Sequence, residues 1–365
     1  MNKKLTSILI ATAISLPFSV QISSVSQANS VPVVAILDTA LDTSLPIFKD
    51  RVIHEVCILE WNSCPNGTSF MEGPGSAVLP LNIMSSNGFD HGTQMASVVV
   101  DLNSKVKIVF IRIIGNTAYG SRQPAGEATV TNALNWVLKN KDQYNIKSIA
   151  MSQGHHDLGP VGTDYCTSTP DTKNLLASLY NSGVTTFFPS GNSRDYGRID
   201  WPACITESIS VGWVDQNLNI SPYSNFDKNK LDFYALGTVK VSVPGGGFKN
   251  TGGSSVSVQV AATAWALLKN KYPEYTQDQI FDLLSQTSTK VSGVNGQFGK
   301  LINIYLALTT NLEQPSSQTT IDQTTMTEET NKYIELVKEE YEKKVKPATK
   351  KLVATKKKKV NKVNG

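Results

Sequence analysis

Thr251-Gly-Gly-Ser-Ser-Val-Ser-Val-Gln-Val-Ala-Ala-Thr-Ala-Trp-Ala-Leu-Leu268 reads as a helix that has no face to offer to water. Its side chains are apolar or small on every side, and only a large core can cover such a helix. Gly252 and Gly253 precede it, removing side-chain bulk and letting the backbone turn tightly before Ser254. A serine in the first turn has its hydroxyl beside free backbone N–H groups and the positive end of the helix dipole, where a developing oxyanion is stabilised. Serine is also a preferred N-cap, so this stretch alone leaves two readings, a cap and a nucleophile.

Outward from that helix, the chain alternates short apolar runs with helical patterns. Val31 to Leu37 is a continuous apolar run that ends abruptly in Asp38, as a strand covered on both faces would. Val106 to Ile114, Ser148 to Ser152, Val184 to Phe188 and Ile209 to Val214 read the same way. Helices are expected over His91 to Leu102, Gly126 to Lys139 and Asp171 to Asn181, with Ala133, Leu134, Val137 and Leu138 as one apolar stripe. Thr276-Gln-Asp-Gln279 is a capping box opening a further helix through Leu284. The expected fold class is α/β: a doubly wound, mostly parallel sheet with helices on both faces and functional residues at the carboxyl ends of strands.

Length and composition set the frame. A chain of 365 residues with 40% hydrophobic content can bury a full core. Residues 1–28 read as a cleaved secretory signal, with Lys3 and Lys4 before an apolar stretch from Leu5 to Val20 and small residues at Ser26 and Ala28. The alternative, a membrane anchor, is disfavoured by the short stretch and by Ser15 and Pro17 within it. Residues 29–310 are expected to form the main domain and 311–327 a Ser/Thr/Gln-rich linker. Over 328–365 we expect a charged helix ending at Pro347, then a disordered Lys-rich end. From residue 311 onward twelve lysines face eight carboxylates, which accounts for the whole net charge of +4. The body is therefore electrically balanced, and composition gives no reason to expect a specific nucleic-acid partner. The tail is either a tether to an anionic surface or a solvated end. Four cysteines allow three pairings, of which proximity favours Cys57 with Cys64 and Cys166 with Cys204.

Three side chains then stand out together. Asp38 closes a buried strand, His91 begins an apolar helix in Asp90-His-Gly-Thr93, and Ser254 begins the buried one. A serine hydroxyl is a poor nucleophile until a base removes its proton, and the base needs a third group to hold its tautomer and stabilise its cation. In this order, and in the motifs around each residue, the chain resembles the subtilisin-like serine peptidases, the subtilase family. Val34-Ala-Ile-Leu-Asp-Thr-Ala-Leu-Asp42 resembles the family's aspartate motif, and His91-Gly-Thr93 its histidine motif. Gly252-Gly-Ser254 with Val260-Ala261 resembles the serine motif without a gap, and Ser190-Gly-Asn192 the oxyanion segment. Pro202-Ala203 and Val211-Gly212 follow at family-like positions, so the resemblance covers residues 31 to 308.

The resemblance implies a subtilisin-like fold and a secreted serine endopeptidase, acting as a monomer on protein or peptide substrates. Ser254 would attack the scissile carbonyl, His91 would carry the proton, Asp38 would orient the imidazole, and Asn192 with the Ser254 N–H would bind the oxyanion. Ser152, Gln153 and Gly154 resemble the strand that lines the principal specificity pocket; His155 and His156 beside them make a polar pocket edge or a solvated loop. No cofactor is implied for the chemistry; structural calcium is common in the family, and no ligand set for it can be placed in this sequence. A pseudopeptidase that binds without cleaving, and an acyl transferase or cyclase on the same scaffold, remain alternative functions.

The sequence departs from the family pattern at Ala40, Gln94, Ser97, Ala150, Gly253, Val258 and Ala262, none of which removes a catalytic atom. Only Asn29 and Ser30 lie between the expected cleavage point and the first strand, so the domain is expected to fold without the propeptide that secreted relatives carry, either unaided or with help from a partner or another region, the tail helix being one candidate.

Overall fold

The computed structural model describes residues 31–86, 88–116, 121–156, 166 and 169–310. The expected signal segment, linker, tail helix and lysine cluster lie outside the described residues.

The first strand, β1 (Val33–Asp38), explains the architecture. Val33, Ala35 and Leu37 join one core cluster while Val34 and Ile36 join another. Successive strand residues point to opposite faces, so a strand apolar on both must lie inside the sheet with a layer above and a layer below. After it come β2 (Val52–Ile58), β3 (Phe70–Glu72), a short α1 (Leu81–Met84), α2 (His91–Leu102) and β4 (Lys107–Arg112). A small hairpin, β5 (Gly115–Asn116) with β6 (Arg122–Gln123), leads to α3 (Glu127–Asn140), β7 (Ile146–Met151) and α4 (Pro170–Asn181). The chain continues through β8 (Thr185–Pro189), β9 (Ile209–Val214), β10 (Phe233–Leu236) and a second hairpin, β11 (Thr238–Ser242) with β12 (Phe248–Gly252). It ends in α5 (Ser254–Lys271), α6 (Gln277–Thr287), β13 (Thr289–Ser292), β14 (Phe298–Leu301) and α7 (Ile304–Thr309).

Ten strands form one sheet in the order β13-β14-β10-β9-β8-β7-β1-β4-β2-β3. All its pairings are parallel except at the two edges, where β3 runs against β2 and β13 against β14. Helices α2, α5 and α6 cover the face carrying Val34 and Ile36; α3 and α4 cover the other. Strand β1 lies between β4 and β7, so the two halves of the sheet diverge at its end. In α/β sheets such a divergence is where ligands are held, outside the carboxyl ends of the strands.

Helix α5 is the buried rod expected from its sequence: Val258, Ala261, Ala262, Trp265, Ala266 and Leu268 are all wholly buried. Its Trp265 ring meets Phe187 of β8 edge-on at 5.6 Å. Burying an indole of this size on the central sheet contributes on the order of 3–5 kcal/mol, judged by what truncation of such residues costs. Both bonds of the α6 capping box are made: the Thr276 hydroxyl accepts the Gln279 N–H and the Gln279 side chain accepts the Thr276 N–H. The favoured cysteine pairs are disulfides, Cys57–Cys64 and Cys166–Cys204, with Cα separations of 5.9 and 5.7 Å. Among the described residues no helix is long and apolar enough to cross a membrane.

Strand β2 is absent from the sequence expectation because His54 and Glu55 interrupt it. Glu55 is nonetheless buried, and its carboxylate accepts the N–H groups of Gly75 and Ala77 at 3.1 and 3.2 Å. A polar side chain satisfied in this way sits in a core strand without penalty, and a hydrophobicity pattern cannot show that.

Candidate active site

Asp38 ends β1 at the divergence point and is fully buried. The Thr39 N–H donates to its Oδ1 at 2.7 Å. The ring of His91, first residue of α2, donates from Nδ1 to Oδ1 at 2.8 Å and lies 3.0 Å from Oδ2. With Nδ1 carrying the proton, Nε2 is left as the basic nitrogen. Local sequence fixes this pairing. Thr39 Oγ1 donates to the Phe89 carbonyl and accepts the Gly92 N–H, at 2.9 and 2.8 Å. The Asp42 N–H donates to Thr93 Oγ1 at 3.0 Å. The loop after β1 is thereby stitched to the first turn of α2. Gly92 must be glycine, since a Cβ there would lie 2.5 Å from the Ala40 carbonyl oxygen and 2.7 Å from the Phe110 ring.

Ser254 is the first residue of α5, and the cap position belongs to Gly253, whose φ of +143° suits glycine. Of the two glycines only Gly253 uses that freedom, because Gly252 is extended at the end of β12. The Ser254 N–H and hydroxyl both donate to Asn192 Oδ1, at 3.0 and 3.2 Å, and the Gly191 N–H donates to the hydroxyl at 3.3 Å. No hydrogen bond joins Ser254 to His91. Asn192 follows β8 by three residues, so Asp38, Ser152 and Asn192 all stand at carboxyl ends of neighbouring strands. The family resemblance groups these four residues in one site, and the structure brings Asp38 to His91 and Asn192 to Ser254.

Ser152 faces α5: its hydroxyl donates to the Ser255 carbonyl at 2.9 Å and accepts from Gln259 Nε2 at 2.8 Å. Gln153 is half-buried and accepts from Arg122 at 3.4 Å. Gly154 is exposed, and a Cβ there would meet the Asp200 side chain, Cβ at 3.1 Å and Oδ2 at 3.2 Å. His155 pairs by backbone with Trp201 in both directions, and its Nε2 lies 2.9 Å from the Ala125 carbonyl. His156 Nδ1 donates to Asp200 Oδ1 at 2.9 Å, while Arg198 donates to His156 Nε2 at 3.1 Å. Both histidines are half-buried and held by these contacts. Sequence reasoning missed Asp200 and Asn225, which donates to Asp200 Oδ1 at 2.9 Å. The one signal for Asp200 was its place immediately before Trp201-Pro202-Ala203. Burial holds the Asp200 carboxyl above the ordinary carboxylate range, against the opposing pull of His156, Asn225 and Arg198.

The departures at Ala40 and Ser97 fit without strain. Ala40 is buried with ordinary φ, so that position needs no glycine. The Ser97 hydroxyl donates to the Gln94 carbonyl at 2.8 Å and accepts the Ser242 N–H at 3.1 Å, tying α2 to β11. Among the described residues no group of three or more His, Cys, Asp and Glu side chains is gathered as a metal ion would require.

Residues 29–300 match the family model Peptidase S8, the subtilase family. Alkaline elastase YaB of Bacillus sp. (strain YaB) is 27% identical over 235 residues, covering 63% of this chain and 58% of the elastase. Subtilisin NAT of Bacillus subtilis subsp. natto is 25% identical over 288 residues, covering 75% of this chain and 65% of that protein. The chain thus spans less than two thirds of the length of these relatives. Among solved structures, a protease from Pseudoalteromonas arctica superposes with a TM-score of 0.61 at 18% identity, covering 78% of this chain and 92% of that one. The prenylagaramide maturation protease PagA superposes with a TM-score of 0.56 at 17% identity, covering 78% and 94%. At these identities the structural likeness is one of fold.

Proposed function

Because this chain belongs to the subtilase family, we propose that it is a secreted serine endopeptidase that hydrolyses peptide bonds through an acyl-enzyme. The observation that carries this reading is the Asp38–His91 pair, at 2.8 and 3.0 Å, in a crevice where Ser254 opens a helix beside Asn192. In the proposed reaction Ser254 Oγ attacks the scissile carbonyl carbon as His91 Nε2 takes its proton, and Asp38 stabilises the imidazolium through Nδ1. The carbonyl oxygen becomes an oxyanion that receives hydrogen bonds from the Ser254 N–H and Asn192 Nδ2. The C–N bond then breaks as His91 returns its proton to the leaving amine. Water, deprotonated by the same nitrogen, releases the acyl group and restores the serine.

Export is supported by residues 1–28 and by two disulfides, which persist in oxidising compartments. The lysine excess after residue 311 supports a salt-sensitive tether to an anionic surface. One observation favours a second reading, a subtilase-fold protein that binds peptides without cleaving them. The Ser254 hydroxyl is engaged by Asn192 and not by His91. Reaction of the purified protein with a fluorophosphonate, with peptide mapping and a Ser254→Ala control, separates the two. Label on Ser254 that vanishes in the variant supports the peptidase; folded protein that takes no label supports the binding protein.

A further inference from the structure

Asp200 is a buried carboxylate with one oxygen occupied and the other without a partner among the described residues. The residue is 8% exposed. Oδ1 accepts from His156 Nδ1 and Asn225 Nδ2, both at 2.9 Å. Oδ2 accepts no hydrogen bond from the described residues, and it is the oxygen that lies 3.2 Å from where a Gly154 side chain would begin. A Cβ on Gly191 would lie 2.5 Å from the Asp200 carboxyl carbon. Two glycines thus flank this carboxyl, one on the Ser152–Gly154 strand and one beside Asn192, and neither has a side chain to cover it.

The charges around it do not cancel. Arg198 donates to Asp195 at 3.3 Å, a pair complete in itself. It also donates to His156 Nε2 at 3.1 Å, and that nitrogen lies 3.6 Å from Asp195 Oδ2. Arg198 thus reaches Asp200 only through His156, and its own direct ion pair is with Asp195. A buried carboxylate whose second oxygen has no direct partner is costly, and an incoming cation lowers that cost.

The residue that donates the scissile carbonyl must place that oxygen at Asn192 and the Ser254 N–H. Its own side chain then departs one bond away, past Gly191 and Gly154. We propose that Asp200 is the floor of the pocket that receives this side chain, and that its free oxygen selects lysine or arginine there. The proposal rests on the peptidase reading for its substrate, and on Asp200 alone for its charge preference.

The test separates the two. Benzamidine, a flat cation that needs no cleavage to bind, is titrated calorimetrically into the full-length Ser254→Ala protein. Binding is expected, and adding Asp200→Asn weakens it by about tenfold or more, the scale at which loss of a buried charge partner is felt. Adding Gly154→Ala, which keeps the carboxylate and covers it with a methyl group, weakens it as well, and serves if the Asp200 variant does not fold. No binding by folded Ser254→Ala protein, or equal binding by the variants, overturns the proposal. The wild-type protein is then given a peptide mixture of all residue types and the new termini are sequenced. Cleavage after Lys and Arg supports it, and cleavage after Leu or Phe overturns it. Benzamidine bound in a protein that cuts no peptide leaves the cation site standing and overturns the peptidase reading.

Discussion

Asn192 Oδ1 accepts two hydrogen bonds from Ser254, one from the backbone N–H at 3.0 Å and one from the hydroxyl at 3.2 Å. The Ser254 N–H is one of the two donors that the proposed oxyanion needs, and here it is turned onto the residue that carries the other. A substrate carbonyl has to displace the Asn192 oxygen so that Nδ2 and the Ser254 N–H converge on a third atom. In the proposed mechanism the ground state is thus closed by a contact between Ser254 and Asn192 themselves.

That closure gives a variant pair with different signatures. Asn192→Ala removes a donor, and kcat is expected to fall by about 10²–10³-fold, the usual loss for one oxyanion donor. Asn192→Asp can accept both Ser254 bonds and donate none, and it adds negative charge where negative charge develops. Its thermal midpoint should stay near that of the wild type while its fluorophosphonate labelling rate falls at least as far as in Asn192→Ala. Equal labelling by Asn192→Asp and wild type would show that Asn192 only caps α5.

Gly92 lets His91 approach Asp38 closely. Its absent side chain lets the first turn of α2 rest on Ala40 and the Phe110 ring, with 2.5 and 2.7 Å to the place a Cβ would take. The nearest obstacle is backbone, which cannot swing aside. Gly92→Ala should push His91 off Asp38 and cost about 1–3 kcal/mol, as overpacking of a tight core does. Peptide turnover should fall by on the order of 10²-fold through misplacement of the base, with KM little changed. Chemical denaturation and steady-state kinetics on one variant check both parts; a loss confined to stability would remove Gly92 from the positioning of His91.

Much of this arrangement was legible in the chain. The apolar run to Asp38 and the buried rod after Ser254 carry their own burial in their composition, and their fully buried residues show why. Strand β2 was not legible, because Glu55 is satisfied by Gly75 and Ala77, residues some twenty positions away. Asp200 was hidden for the same reason: its partners His156 and Asn225 are brought together by the strand ends, and nothing near it in sequence announces them. Long-range polar satisfaction is invisible to periodicity, and at this site it sets both the wall and the charge of the crevice.

The two disulfides should differ in what they contribute. Cys57 and Cys64 are separated by 7 positions and Cys166 and Cys204 by 38. Loop-closure entropy in the unfolded chain gives about 2.5 kcal/mol for the short loop and about 4 kcal/mol for the long one. Replacing each pair by alanines and measuring urea unfolding should therefore cost more for Cys166–Cys204. A larger loss for the Cys57–Cys64 pair would mean that its packing against Met71 of the neighbouring β3 outweighs the entropy of the loop.

The raised affinity of Asp200 for its proton has a sign that can be tested. Burial, the largest cause, holds its carboxyl above the ordinary range, while the facing groups, His156, Asn225 and Arg198, pull the other way. A carboxyl that binds its proton more tightly folded than unfolded makes stability fall as pH rises from the unfolded value, about 3.9, up through the folded one. Above the folded value the loss is complete and constant. Asp200→Asn has no such proton to lose. Its stability relative to wild type should therefore climb over that window and then level, whatever constant offset the lost Oδ1 contacts introduce. Urea midpoints of both proteins from pH 4 to 8 read this difference. Parallel curves would mean that Asp200 titrates alike in both states, and that no buried charge waits in the pocket for a cation.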